Sequence, residues 1–116
     1  MSLPFVMLVE EEEAMRRLIV HALTGFAFVV CYQDADLASE PSPYNFRAAI
    51  VSSQVQPQQF KDGVDLAQYI QEHAQGVRVM LLIPSDAPAP EGMLYVRKGS
   101  AAIGLTQRLR NLVQGN

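Results

Sequence analysis

The chain is poor in the residues that build disulfide frameworks, metal clusters and membrane spans. It has one cysteine, Cys31, which excludes disulfides and cysteine-rich metal sites. No apolar run approaches the roughly 18 residues needed to cross a bilayer, and no signal peptide precedes the first apolar segment. Charged residues are only 18% of the chain and the net charge is −3, which argues against a nucleic-acid surface. We therefore expect a protein of the reducing cytoplasm.

The remaining composition is that of an ordinary folded domain. The chain has 116 residues, of which 49% are hydrophobic, so it can bury a proper core. It has no internal repeat and no low-complexity tract. This predicts a single domain over residues 1–116, with its core in residues 4–114.

Short apolar runs of strand length recur along the chain. Such runs are typical of parallel strands whose two faces are both covered. They predict five strands at residues 4–9, 26–32, 48–52, 77–83 and 93–97. We expect the second strand to be as fully buried as the first.

Helical periodicity separates several of these strands. The stripes that predict three amphipathic helices are Met15, Leu18, Ile19, Ala22 and Leu23; Leu66, Ala67, Ile70 and Ala74; and Ala102, Leu105, Leu109, Leu112 and Val113, with Ser100 as the cap of the last helix. Residues 34–40 allow only a short helix before two prolines. Residues 84–92 contain three prolines and cannot form a regular helix.

Strands that alternate with helices predict an α/β fold with a parallel sheet and right-handed crossovers. Five strands in a chain of this size favour the flavodoxin-like order 2-1-3-4-5 in a three-layer sandwich, with the helix before the last strand shortened or missing. In that order the carboxyl ends of four strands meet at one edge. These ends carry Glu10, Glu11, Ser53, Ile83 and Lys98.

Several segments, in order, resemble the receiver (CheY-like) domain of two-component response regulators over nearly the whole chain. The strongest is the ungapped stretch LVEEEEAMRRLI at residues 8–19, which is similar to the first strand, acidic pair and first helix of that family. Gly25 and Phe26 resemble the turn into the second strand. Pro57 and residues 62–63 resemble the loop after the phosphorylated aspartate, and residues 95–98 resemble the fifth strand.

The resemblance implies roles for individual residues. Glu10 and Glu11 stand where the family holds its magnesium-binding acids, Tyr95 stands at the switch aromatic and Lys98 at the lysine that grips the phosphoryl group. The resemblance also implies that two chemical groups are lost. Ser53 stands at the phosphoacceptor position, and Ile83 replaces the switch hydroxyl.

The chemistry of the residues at these positions also favours the loss of phosphorylation. A serine can form only a phosphoester and needs a general base, which the sequence does not supply. We expect Ser52 and Ser53 to fill a vacated pocket and Lys98 to pair with Glu10 or Glu11. The acidic run at residues 10–13 is then mainly a solvated helix start, and His21 and His73 are surface residues.

The sequence thus predicts a non-enzymatic, degenerate receiver, or pseudo-receiver. It would act in signal transduction as a phosphorylation-independent protein-interaction module. We expect no cofactor and weak or absent Mg²⁺ binding. We also expect a signalling partner or a homodimer through the face of the fifth strand and last helix, where Leu94 lies, and no contact with nucleic acid or membrane. Two alternatives stay open: a phospho-receiver with an unusual acceptor, and a small-molecule-binding flavodoxin-like module.

Overall fold

The predicted strands form one parallel sheet in the predicted order β2-β1-β3-β4-β5. A computed structural model describes residues 3–99 and 102–115. The strands are β1 (Phe5–Val9), β2 (Phe28–Tyr32), β3 (Phe46–Ser52), β4 (Arg78–Ile83) and β5 (Leu94–Arg97). The helices are α1 (Glu13–Ala22), α2 (Gly63–His73) and α3 (Ala102–Gln114), with a 3-10 turn at Ala35–Ser39. The flavodoxin-like fold is therefore confirmed.

The sheet separates two apolar cores. On one face α1 and α3 cover a cluster that includes Leu8, Ile50 and Val96. On the other face α2 and the 3-10 turn cover a cluster that includes Val51 and Ile83. Because successive side chains of a strand point to opposite faces, odd and even positions of the central strands fill different cores. This gives the three layers expected from the sequence.

The second strand differs from the sequence prediction. Its apolar run predicted a strand as buried as the first, but β2 is one of the two outer strands, as the predicted order 2-1-3-4-5 requires, and Phe28 is 53% exposed and Cys31 is exposed. An apolar run cannot tell a central strand from an edge strand, because the two differ only in whether a second neighbour is present. Partial desolvation still raises the pKa of the Cys31 thiol, and the Arg16 charge offsets part of this, so the thiol is protonated at neutral pH.

One position of the first helix was also assigned wrongly. Leu18 was expected in the inner stripe, but 36% of its surface is exposed, whereas Met15, Ile19 and Ala22 are buried. The helix meets a sheet and one neighbouring helix, so the stripe that it can bury is narrower than the apolar stripe in the sequence.

The connection between β4 and β5 has no helix among the described residues, as the prolines of residues 84–92 predicted. The third layer is also thin on the β2 side, where the described connection between β2 and β3 contains only a five-residue 3-10 turn, as the short segment before two prolines predicted. The expected cap Ser100 lies outside the described residues. Within residues 3–99 and 102–115, none of the helices is long and apolar enough to cross a membrane.

Candidate functional site

Glu10 lies at the carboxyl end of β1 and is buried, although the sequence suggested a solvated acidic run. Only 2% of its surface is exposed, whereas Glu11, Glu12 and Glu13 are exposed. The helix begins only at Glu13, so Glu10 still follows the strand. Its Oε2 accepts a hydrogen bond of 3.0 Å from the backbone N–H of Glu11. A charge buried this deeply requires a partner.

Lys98 supplies that partner. Its Nζ lies 2.8 Å from Glu10 Oε1, which confirms the expected ion pair and selects Glu10 over Glu11. The ammonium directs hydrogen bonds to Ser52 Oγ at 2.9 Å and to Gln54 Oε1 at 3.0 Å. Among the described residues Oε1 accepts no hydrogen bond of good geometry, so its attraction to Nζ is mainly electrostatic. We call Glu10, Ser52, Gln54 and Lys98 the lysine network.

Strand periodicity explains why three strands contribute to this network. Leu8, Ile50 and Val96 belong to one core cluster on one face of the sheet. Glu10, Ser52 and Lys98 follow them by two positions each. Because side chains alternate with a period of two, these polar residues continue the same face beyond its apolar core. The network therefore closes the carboxyl end of that core.

Ser53, the predicted acceptor position, lies beside the network and has no described hydrogen bond to its hydroxyl. It is half-buried, and its backbone N–H donates 2.9 Å to the Leu82 carbonyl. This bond continues the strand pairing of β3 with β4, so alternation directs the Ser53 side chain to the face of Val51 and Ile83. Lys98 thus contacts the preceding serine, and no described bond joins it to Ser53.

Glu11 and Arg16 fix the loop around the site. Glu11 is exposed, and its Oε1 accepts 3.3 Å from the backbone N–H of Gln56 in the loop after β3. Arg16 Nη1 donates to the backbone carbonyls of Glu10 at 2.9 Å and Glu11 at 2.7 Å. Glu11 therefore joins the turn before α1 to the β3–α2 loop, and Arg16 joins that turn to α1.

The two switch-equivalent positions pack together on the other face. Ile83 is 3% exposed, and Tyr95 packs half-buried against the same cluster. The guanidinium carbons of Arg97 and Arg108 lie 5.6 Å and 5.8 Å from the centre of the Tyr95 ring. Ile83 offers the site only an apolar side chain, since its carbonyl accepts the Lys98 N–H at 2.9 Å.

The residues at this edge do not fit a magnesium ion. Magnesium is held by several oxygen ligands in octahedral geometry, usually including carboxylates. Glu10 is committed to Lys98 and to its neighbouring amide, and the position of a third acid is Ser53. In the part of the chain that the structure describes, no group of three or more His, Cys, Asp or Glu residues is arranged to hold a metal.

Sequence reasoning missed parts of the network. Ser52 was expected only to fill a vacated pocket, and the hydrogen bonds of Ser52 and Gln54 to Lys98 were not expected. The period-two register from Ile50 to Ser52 could have indicated Ser52. No sequence signal indicates Arg16, whose bonds go to backbone carbonyls. The surface positions expected for His21 and His73 are confirmed, and His73 Nδ1 lies 2.9 Å from the Tyr69 carbonyl.

A comparison with protein-family models and with curated protein sequences finds no match. Solved structures do match. The RcsB response regulator of Salmonella typhimurium is 20% identical with a TM-score of 0.82, over 100% of this chain and 61% of that chain. The beryllofluoride-activated receiver domain of DrrB is 15% identical with a TM-score of 0.72, over 97% of this chain and 99% of that chain.

A CheY-like receiver domain from Methanospirillum hungatei is 16% identical with a TM-score of 0.71, over 97% of this chain and 98% of that chain. Identities this low establish shared architecture only. The strand order, the length covered and these neighbours agree with one another. The chain has the receiver-domain fold of two-component response regulators.

Proposed function

We propose that this chain is a pseudo-receiver, a signalling module of the cytoplasm that binds a protein partner without being phosphorylated. The observation that carries the proposal is the lysine network. The ammonium of Lys98, which would have to grip a phosphoryl group, is already satisfied by Glu10, Ser52 and Gln54 within the chain. A phosphoryl group could bind Lys98 only by displacing these contacts. The buried Glu10 carboxylate would then be exposed to water or left without its cation.

The acceptor chemistry supports the same conclusion. A phosphoaspartate needs a carboxylate nucleophile, and position 53 holds a serine. A serine alternative needs a general base within hydrogen-bond reach. The two acids that follow β1 have other partners, Glu10 with Lys98 and Glu11 with the Gln56 amide. The unusual-acceptor alternative therefore has no described base to activate Ser53, and the proposal is that the module has no enzymatic activity.

The relay that would report phosphorylation is also replaced by static packing. A hydroxyl at position 83 would donate to a phosphoryl oxygen, but Ile83 has no donor. Tyr95 lies against the same apolar cluster, with Arg97 and Arg108 beside its ring. Cation–π contacts of this kind stabilise one ring position by roughly 0.5–1 kcal/mol each at exposed sites. We propose that Tyr95 keeps one rotamer.

The docking surface that we propose is the face of β5 and α3. Leu94 is 47% exposed there and lines a groove of about 280 Å³ together with Arg78 and Arg108. Exposed apolar side chains next to cations fit a partner that offers an apolar side chain flanked by carboxylates.

The test is an amide NMR titration with Mg²⁺ and then with Mg²⁺ plus beryllofluoride, which mimics a phosphoryl group on aspartate. We expect no saturable shifts at Ser53, Ile83, Tyr95 or Lys98. The receiver domain of DrrB, which has a beryllofluoride-activated form, serves as the positive control under the same conditions. Saturable shifts that reach Tyr95 would contradict the proposal.

A second readout separates the serine alternative from the pseudo-receiver. Intact-mass measurement after incubation with acetyl phosphate should show no phosphoryl adduct on the wild-type chain. An adduct that disappears in Ser53→Ala would establish the unusual acceptor instead. Shifts confined to Glu10 and Glu11 on addition of Mg²⁺ alone would overturn the weak-metal part of the proposal and leave the rest standing.

A further inference from the structure

The two outer strands of the sheet, β2 and β5, differ in how their outward backbone groups are protected. In β5, Lys98 donates its backbone N–H to the Ile83 carbonyl, so the even positions of this strand face β4 and the odd positions face outward. The outward carbonyl of Tyr95 accepts a hydrogen bond of 2.6 Å from Arg108 Nη1. This short strand of four residues also ends in Arg97. Short length and charged side chains are devices that prevent edge-to-edge pairing.

The edge strand β2 is only one residue longer than β5, but it has no charged side chain within the strand and no described hydrogen bond to its outward backbone groups. Its sequence is FVVCY, with no charge, proline or glycine, and Phe, Val and Tyr favour strands. The Phe28 N–H donates to the Pro4 carbonyl at 2.8 Å, so Phe28, Val30 and Tyr32 direct their backbone groups to β1. By alternation, Val29 and Cys31 direct theirs outward. No described side chain bonds to these outward groups.

We propose that β2 pairs with β2 of a second copy of this chain, antiparallel and about a two-fold axis, to form one continuous ten-stranded sheet. The two sets of outward groups are self-complementary. Val29 opposite the second copy's Cys31, and the reverse, form two hydrogen-bonded pairs with four N–H···O bonds. Val30 then lies on the two-fold axis, opposite Val30 of the second copy, in a non-hydrogen-bonded pair.

The side chains and charges fit the same register. Phe28, 53% exposed in the single chain, lies opposite Tyr32 of the second copy, an aromatic pair of the kind that stabilises strand pairing. No charged residue of either β2 faces another. Just beyond the strand, the register brings Asp34 of one copy toward Phe26 of the other. In each copy the Arg110 guanidinium lies 4.2 Å from the centre of the Phe26 ring. Asp34 of one copy therefore approaches Arg110 of the other at both ends of the paired strands.

This pairing stops at two copies. Once the β2 edges are joined, the outer strands of the ten-stranded sheet are the two β5 strands, whose outward carbonyl is already taken by Arg108. The inference therefore predicts a closed dimer and not a filament. It does not rest on the phosphorylation proposal, and it leaves the β5 and α3 face of each copy free for a different partner.

The first experiment is light scattering of the purified chain over a wide concentration range. We expect the mass to rise from 12.8 kDa toward twice that value. Cys31→Lys places a charge on the edge without removing any bond within the chain, and we expect it to weaken dimerisation about tenfold. Leu94→Lys, an exposed apolar position on the other face, is the matched control and should leave dimerisation unchanged. Circular dichroism checks that each variant is folded.

A crosslink tests the register. In a Cys31→Ser background, Val30→Cys places two thiols opposite each other at a spacing that a disulfide accepts, and mild oxidation should give a covalent dimer quickly. Leu18→Cys in the same background, an exposed helix position, should crosslink at least about tenfold more slowly, because nothing in this pairing holds two copies of it together. A monomer at all concentrations, or a dimer lost in Leu94→Lys and kept in Cys31→Lys, would overturn the inference.

Discussion

At the scale of single residues, one position along a strand decides which side chains can meet. Ser52 contacts Lys98, and its neighbour Ser53 has no described bond to that lysine, because a step of one residue turns the side chain to the other face. The same rule selects Glu10 as the partner of Lys98, while Glu11 is exposed and caps the loop at Gln56. The chemistry of the edge depends on these two choices.

Removing Lys98 should therefore be costly. Lys98→Met leaves the Glu10 carboxylate, whose side chain is 3% exposed, buried without its cation. We expect a loss of about 3 kcal/mol in the free energy of unfolding, since breaking a buried pair strands a charge. Urea denaturation measures it. The double variant Glu10→Gln with Lys98→Met should recover a part of the loss, because the stranded group is then neutral.

The matched control is the pair between Arg17 and Glu13 on the surface of α1. Its atoms lie 2.7 Å apart, but its side chains are 79% and 67% exposed. Arg17→Met should change the free energy of unfolding by less than about 0.5 kcal/mol. Equal effects of Lys98→Met and Arg17→Met would show that the lysine network is not the buried charge pair described above.

At the scale of elements, α2 starts directly against the end of β3. Gly63 opens the helix, and a Cβ there would overlap the Ser52 carbonyl oxygen and lie 2.9 Å from the Ser53 Cα. Asp62 caps the helix by accepting the Asp65 N–H at 2.9 Å. Glycine is needed at position 63 because backbone meets backbone, and this contact holds the two serines in place.

Two identical substitutions in helices should therefore have opposite effects. Gly63→Ala should lower the free energy of unfolding by about 3 kcal/mol, because the added methyl group meets rigid backbone. Gly104→Ala in α3 meets nothing within 4 Å and should raise it by about 0.5–1 kcal/mol through helix propensity. Thermal unfolding of both variants is the measurement. A neutral Gly63→Ala would mean that α2 shifts easily on β3.

The side chain of Arg97 binds the backbone of the proline-rich connection. Arg97 Nη1 donates to the carbonyls of Ala87 at 2.6 Å and of Ser85 at 3.3 Å. Arg97→Met should speed proteolysis within residues 84–92 several-fold while changing the free energy of unfolding by no more than about 1 kcal/mol, because few apolar groups are buried there. Arg17→Met is the control for loss of an arginine. Unchanged proteolysis would show that the prolines alone order the segment.

At the scale of the whole molecule, stability is concentrated in the middle of the sheet. The strands β1, β3 and β4 are covered on both faces and have neighbours on both sides, and Ile50, Val51 and Leu81 are completely buried. The two outer strands have only one neighbour each. The same architecture thus provides a rigid centre, a lysine network at one end and two edges of different character.

Native-state hydrogen exchange should follow this order. The amides of Ile50, Val51 and Leu81 should exchange only through global unfolding, and the outward amides of Val29 and Cys31 at least about a hundredfold faster in dilute protein. At high concentration the Val29 and Cys31 amides should slow if the β2 edges pair. Protection of Val29 equal to that of Val51 in dilute protein would contradict the open edge.

The sequence by itself determined the strands, the helices and the missing helix after β4, because these depend on local periodicity and on prolines. The strand order followed from the general rule for five-stranded parallel sheets. It also identified Lys98 and the acidic pair as a site. Only the tertiary structure decided that Phe28 and Cys31 of β2 are exposed, that Glu10 is the buried acid and that Ser52 is the lysine's contact. Those outcomes depend on which neighbours a residue meets across the sheet, and neighbours distant in sequence leave no mark on local periodicity.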